Sequence, residues 1–290
     1  MSILSTKSSK ADASLSPGAA FAAAVQKHGT QAHVDYDTSI VDAFPGFKRR
    51  PRIAVRGMFK TAKAERDPVP FWYETHPQAK PTGPVQDLEL RPEAGFEFHQ
   101  DTQALKPTRA WIQVPRNLLE DSQSLAQFID FRLLVRLNTA ENQALCIGKG
   151  GDGVRGLLHT PGIVRLPAKK NAVASLLNAC AQVEQMGGSA DGIVINSLDF
   201  YEHLVGQQSL LSDLAAMGIR LCRTRMVNPG TIIVGDFTAA ATLYDSQRSV
   251  IRFAEPPPGI FPREGLAAYG EVYTTLAVHL PTHFFVASLT

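Results

Sequence analysis

Three cysteines, Cys146, Cys180 and Cys222, are all that this chain of 290 residues carries. An odd number at such wide spacing excludes a fully paired disulfide framework, and with no Cys-x-x-Cys pair it offers no zinc site. Each thiol has apolar neighbours and reads as a small buried hydrophobe in a reducing compartment. The eight histidines show no His-Glu-x-x-His or other paired metal spacing. No Gly-x-Ser-x-Gly elbow is present, and the acids are too scattered to assign an acid–base pair. No apolar run approaches the roughly 18 residues that a bilayer span requires. The N-terminus MSILSTKSSKADASLSPG lacks the basic start and apolar core of a secretory signal. A formal net charge of +2 is too small to pull the whole molecule toward nucleic acid or a membrane. The expectation is a non-enzyme, with no catalytic, cofactor-binding or metal residues, no cofactor and no membrane partner.

What is present is an ordinary globular composition, 44% hydrophobic and 19% charged, enough for a real core in one large or two ordinary domains. Residues 1–16 are rich in Ser, Lys and Ala, a composition that favours no fixed structure. Ser16-Pro17 resembles an N-cap with proline at the first helical position, opening a helix that Gly29 closes. Residues 1–43 together read as an arm rather than a domain. Phe44–Phe59 alternates apolar and basic residues from Pro51 onward, as an edge strand does. Between residues 48 and 66 eight basic residues crowd together with Glu65 as the only acid. Two readings of that stretch stay open. It is a face turned to solvent or a neighbouring subunit, or it touches phosphates of nucleic acid. Lys48, Arg49, Arg50, Arg52 and Arg56 are the candidates for either. From Asp67 to Pro107 the chain is proline-rich and helix-poor, with extended segments at Val85–Leu90 and Gly95–Phe98. So long an extended tract is unusual inside a compact domain and predicts a hairpin that projects and leans on a neighbour.

The stretch Trp111–Leu157 predicts a strand, then a helix over Ser122–Leu145 with Leu125, Phe128, Ile129, Leu133, Leu137, Ala140 and Ala144 on one face. Asp121 or Ser122 caps it, Gly148 ends it, and at 1.5 Å per residue it makes a rod of roughly 35 Å. Gly148–Gly153 has the letters Gly-x-Gly-x-x-Gly. A dinucleotide loop, however, follows a strand and opens a helix, and this one follows a helix. Val154 stands where a phosphate-binding loop needs its Lys-Ser/Thr pair. A second helix is predicted over Asn171–Met186, a strand at Gly192–Ser197 and a helix at Leu198–Val205. Alternating strands and turns run to residue 255, and two last strands lie at Ala267–Leu280 and His283–Leu289. The fold class is α+β.

Three blocks in order carry a family resemblance. The first is WIQVPRNLLED with the long helix, Glu141 near its end, Leu145, the Gly148–Gly150 turn and Gly156-Leu157; the others are Gly192–Phe200 (GIVINSLDF) and Gly230–Phe237 (GTIIVGDF). Together they resemble the major capsid proteins of tailed bacteriophages, the Hong Kong 97-like capsid fold, over residues 44–288. The resemblance implies an N-terminal arm (1–43), the first part of a peripheral domain (44–76) and an extended loop reaching over a neighbour (77–109). It further implies a peripheral segment with the spine helix (110–164), an axial domain around fivefold and sixfold axes (165–250) and C-terminal peripheral strands (251–290). The implied function is self-assembly, as hexamers and pentamers, into the icosahedral shell of a virion built in the host bacterial cytoplasm. Implied partners are other copies of the chain, scaffolding, portal or cement proteins, and double-stranded DNA held by non-specific contact. The alternative is an encapsulin, a shell of the same fold that packages a cargo enzyme. A soluble enzyme with an unrecognised site is a third class.

Some members of that family weld subunits through an isopeptide bond from a loop lysine to a neighbour's asparagine, assisted by a glutamate. The matching position in Leu90-Arg91-Pro92-Glu93 is Arg91, which never loses its charge and cannot be the attacking amine. The segment matching the asparagine's, IFPREGL, contains no Asn. Non-covalent or cement-protein stabilisation is expected instead, with Arg91 and Glu93 as candidate intersubunit ion-pair partners and Phe96 and Phe98 as candidate apolar contacts.

Overall fold

The computed structural model describes residues 9–10, 15–36, 40, 54–74, 98–254 and 265–289. Its first elements are β1 (Ser9–Lys10), α1 (Pro17–His28), β2 (His33–Tyr36), β3 (Lys60–Lys63), β4 (Val69–Glu74), β5 (Phe98–Gln103) and β6 (Lys106–Pro115). The spine follows as α2 (Ser122–Phe128), a π-turn at Ile129–Leu133 and α3 (Leu134–Ile147). Then come β7 (Val164–Leu166), α4 (Ala172–Gln185), β8 (Gly192–Ile195) and α5 (Ser197–Asp199), which runs into a second π-turn at Phe200–Leu204. Helix α6 (Gln208–Ala216) and strands β9 (Arg220–Arg223), β10 (Thr231–Gly235), β11 (Ala241–Ala254), β12 (Gly265–Val278) and β13 (Phe284–Ser288) complete the chain.

The strands form three sheets. Six strands lie in the order β1-β2-β11-β12-β6, with β3 also on β11; five lie in the order β7-β13-β10-β8-β9; β4 and β5 make a two-stranded ribbon. A break in register between Asp245 and Ser249 lets β11 take β3 on one side of the break and β2 on the other. On β6, Ala110, Ile112 and Val114 alternate inward and meet Leu125, Ile129, Leu133 and Leu137 of the spine. Strand β8 instead buries all four of its residues. Ile193 and Ile195 face the α4 side while Val194 faces the opposite cluster around Phe237, which explains its unbroken apolar run.

The helices start where capping chemistry says they should. Asp121 accepts the N–H groups of Gln123 and Ser124, Ser16 accepts that of Ala19, and Asn171 accepts that of Ala174. The spine departs from its predicted face in its second half. After the π-turn the fully buried residues are Leu134, Leu137, Glu141, Leu145 and Cys146, while Ala140 and Ala144 are only half-buried. A five-residue turn advances the register by one, so an uninterrupted 3.6-residue period misses the change.

Several expectations are corrected. Residues 15–36, expected to be loosely held, are docked on the body: α1 buries Phe21, Ala22 and Val25 in the first core, and β2 is a strand of the first sheet. Gly18 makes this possible, since a Cβ there would lie 2.1 Å from the Ala126 carbonyl oxygen. Ser9–Lys10, in a stretch expected to lack structure, pairs in parallel with β2. The expected edge strand at Phe44–Phe59 is, in its described part, a 3-10 turn at Val55–Met58. The segment 77–109 assigned to an extended loop includes, from Lys106, the start of strand β6, which pairs with β12 in the first sheet. The boundary at 250 falls inside β11. Strand β11 belongs to the first sheet from Ala241 onward, and β13 returns to the second.

Candidate assembly surfaces

In the β4–β5 ribbon, Trp72 lies opposite Gln100 and Glu74 opposite Phe98. Directly opposed residues share a face, and alternate residues share it too. One face therefore carries Phe71, Tyr73 and His99, of which Phe71 is buried against the body, its ring 6.0 Å from that of His279. His279 clamps the ribbon in place. Its Nδ1 lies 2.9 Å from the Trp72 carbonyl oxygen, its Nε2 3.0 Å from Thr242 Oγ1, and its own carbonyl accepts the Glu74 N–H at 2.8 Å. A carbonyl can only accept, so Nδ1 carries the hydrogen. The outer face holds Trp72, 57% exposed, and Phe98, 60% exposed. Two large aromatics held outward on a clamped ribbon form an apolar surface suited to a partner.

A second exposed apolar stripe lies on α5 and the π-turn after it. Leu198 is 67% exposed and Tyr201 62% exposed, with Val205 beside them at helical spacing. The residues of the GIVINSLDF block fix this helix rather than react. Asn196 accepts the Leu198 N–H and donates to the Val227 carbonyl, and Asp199 accepts the Gly230 N–H. Asp236 of GTIIVGDF likewise accepts from Ala239 and Ser189. The Arg223 guanidinium lies 4.6 Å from the Phe200 ring centre and donates to the Tyr201 hydroxyl at 3.1 Å. The stripe was legible as a helix at 198–205, but its outward orientation was not.

Of the candidate contact residues, Phe98 falls on the outer ribbon face; Arg91, Glu93 and Phe96 lie outside the described residues. So do Lys48, Arg49, Arg50 and Arg52. Arg56 is a correction. It is 3% exposed and bonds Glu141 Oε1 at 2.7 Å and the Asp245 carboxylate, so it cannot reach DNA or a neighbour. Both carboxylates need a permanent cation at that depth, which a guanidinium supplies in fork geometry. The adjoining Val55 N–H donates to Asn142 Oδ1 at 2.9 Å, fixing the turn to the spine.

The remaining chemistry is structural. All three cysteines are buried and free. Burial pushes the Cys180 thiol up to about 11 and the Cys222 thiol up to about 12, and it raises Cys146 as well, so none is poised as a nucleophile. The glycine turn sits beyond the end of α3, as its sequence order implied. Gly148 is needed there because a Cβ would lie 2.2 Å from the Val154 carbonyl oxygen. Among the described residues no cluster of His, Cys, Asp or Glu is placed to hold a metal, and no helix is long and apolar enough to cross a membrane.

The sequence profile of the phage capsid family matches residues 49–203. The major capsid protein of Enterobacteria phage HK97 is 26% identical over 212 residues, 68% of this chain and 55% of that protein, so the chain spans about half the length of the curated relative it matches. The virus-like particle from Pyrococcus furiosus is similar in structure with a TM-score of 0.58 at 14% identity, covering 82% of this chain and 93% of that one. The major capsid protein of phage G, solved with its decoration proteins, gives a TM-score of 0.55 at 8% identity, over 82% of this chain and 89% of that one. The fold is therefore the Hong Kong 97-like capsid fold. Since the family match takes in more than half of the residues, the chain belongs to the phage capsid family.

Proposed function

We propose that the chain is the major capsid protein of a tailed bacteriophage, self-assembling through hexamers and pentamers into the icosahedral shell that encloses double-stranded DNA. The observation that carries this reading is the clamped β4–β5 ribbon, whose outer face offers Trp72 and Phe98 while its inner face is seated on the body. In a closed shell each such contact is repeated once per subunit, so a modest aromatic patch becomes a large total interface. The first sheet and the spine then form the peripheral part of the subunit, and the five-stranded sheet with α4 to α6 the axial part. Arg91, Glu93 and Phe96 extend the contacts of the ribbon to the neighbour, and Lys48, Arg49, Arg50 and Arg52 face DNA or a neighbouring copy. Cement proteins are fitting partners, since the similar phage G shell carries decoration proteins. Scaffolding and portal proteins complete the set, and the finished location is the virion.

The second reading is an encapsulin-type shell around a cargo enzyme, since a particle-forming chain from a cellular organism, the virus-like particle from Pyrococcus furiosus, has a similar fold. Electron microscopy of the purified protein tests both. Closed particles are expected, and a monodisperse monomer at high concentration would rule out either shell. Particles recovered from infected cells with genome-length DNA support the phage reading, and particles holding a single co-purifying enzyme support the other.

A further inference from the structure

The spine carries four charged side chains between Ser122 and Ile147, and they are sorted by sign. Both acids face inward: Asp130 accepts from Ser16 and Gly18, and the fully buried Glu141 accepts from Arg56. Both cations, Arg132 and Arg136, are exposed and have no ion-pair partner among the described residues. Leu133, Leu134, Leu137 and Asn138 are buried between and beyond them. The two arginines therefore share the side of the helix that the sheet does not cover, separated by about 6 Å of rise. Half-buried Thr139 and exposed Gln143 continue the same stripe at three- and four-residue steps. Like charges four residues apart on a helix repel, a cost that a bound polyanion removes. From Arg132 to Ile147 the spine exposes no large apolar side chain, which a face for docking another protein would offer. Cations interleaved with neutral polar side chains are instead the chemistry that holds phosphates. Arg225, also exposed, lines the cleft beside Thr139, and no acid lines that cleft.

We propose that the solvent side of the spine, through Arg132 and Arg136 with Arg225 at its flank, is the surface that meets the phosphate backbone of duplex DNA. The choice of DNA among polyanions rests on the shell reading, and the contact turns this side of the spine to the lumen. Only phosphates are touched, so binding is independent of base sequence and falls steeply with salt.

The test titrates the full-length unassembled chain onto a short fluorescent duplex at a series of salt concentrations, followed by anisotropy. Three double variants are compared with wild type: Arg132→Gln with Arg136→Gln, Arg132→Lys with Arg136→Lys, and Lys169→Gln with Lys170→Gln. The last removes the same charge from exposed residues ahead of α4. The arginine-to-glutamine pair should bind several-fold more weakly, and its log–log salt slope should be shallower by about 1.8, the share of two phosphates. The lysine pair should keep the slope, since an ammonium also holds phosphate as a point charge. The Lys169 and Lys170 variant should bind nearly as wild type does. An unchanged slope in the arginine-to-glutamine pair, or an equal loss in the Lys169 and Lys170 variant, would overturn the face. Glutamine matches arginine in helix propensity and both arginines are exposed, so the variants keep the fold, which matching thermal midpoints verify. Electron microscopy separates the two readings. Normal particles are expected from the arginine-to-glutamine pair; lost particles with DNA binding intact would assign the arginines to a neighbouring copy and overturn the proposal. If wild type itself forms no particles, the shell reading fails, while the salt slope still decides whether this face binds a polyanion.

Discussion

At the scale of the residue, the buried charges decide more than the exposed ones. Arg56 joins Glu141 and Asp245, which come from segments 85 and 189 residues away. Replacing Arg56 with Met leaves two buried carboxylates without their cation, a change of the kind that costs about 3–5 kcal/mol. Urea unfolding of Arg56→Met should show that loss, and Glu141→Gln in the same background should recover part of it. A loss below about 1 kcal/mol would mean that water reaches the carboxylates. Asp130 is the second case. It accepts Ser16 Oγ at 2.6 Å and the Gly18 N–H at 2.7 Å, yet burial outweighs both bonds and raises its pKa above the ordinary 3.8. A raised native pKa means that the folded chain binds this proton more readily than the unfolded one. The contribution is fully present below 3.8 and is lost as pH rises through the higher native value. The stability of wild type relative to Asp130→Asn should therefore fall between pH 3 and pH 7, read as urea midpoints across that range. A difference that stays flat with pH would refute it.

At the scale of the element, the ribbon and the spine carry the testable content. Glu74 and Phe98 are paired across the ribbon, so residues 75–97 can be removed and the two joined by a tight Gly-containing turn. The shortened chain should fold, with near-wild-type circular dichroism, and fail to form closed particles; normal particles would remove the ribbon from the assembly contacts. Excision of the longer stretch 77–109 would also delete β5 and the start of β6 and should prevent folding of the ribbon. Trp72→Ser with Phe98→Ser should leave stability almost unchanged, because both side chains are exposed, and reduce particle yield in sedimentation. Most of these elements were legible in the sequence because caps and periodicity are local. The spine's start at Asp121, the α1 start at Ser16 and strand β10 all stand where the residues put them. The π-turn was not legible, as packing around Ile129–Leu133 selects it. Nor was the docking of α1, where Gly18 serves a close helix contact that no local pattern announces.

At the scale of the whole molecule, strands β8, β10, β12 and β13 were readable and their sheets were not. Apolar alternation tells which side of a strand is buried but not which strand lies beside it, so the expected division at 250 cuts through β11 and groups β13 with strands of the first sheet. Arg56 shows the same limit, since its surroundings in sequence are basic and its surroundings in space are acidic. The missing lysine and asparagine of the welding chemistry carry a prediction at this scale. Purified particles boiled in SDS should run as one band at monomer mass, and a ladder of higher bands would show a covalent route through other residues. The interleaving of the two sheets has one more consequence, for the order of folding. Strand β13 lies between β7 and β10, so the five-stranded sheet closes only when Phe284–Ser288 is in place. Until then β7 has no strand partner among the described residues. The two sheets exchange segments distant in sequence, so they form together rather than one after the other, and such long-range pairing is slow.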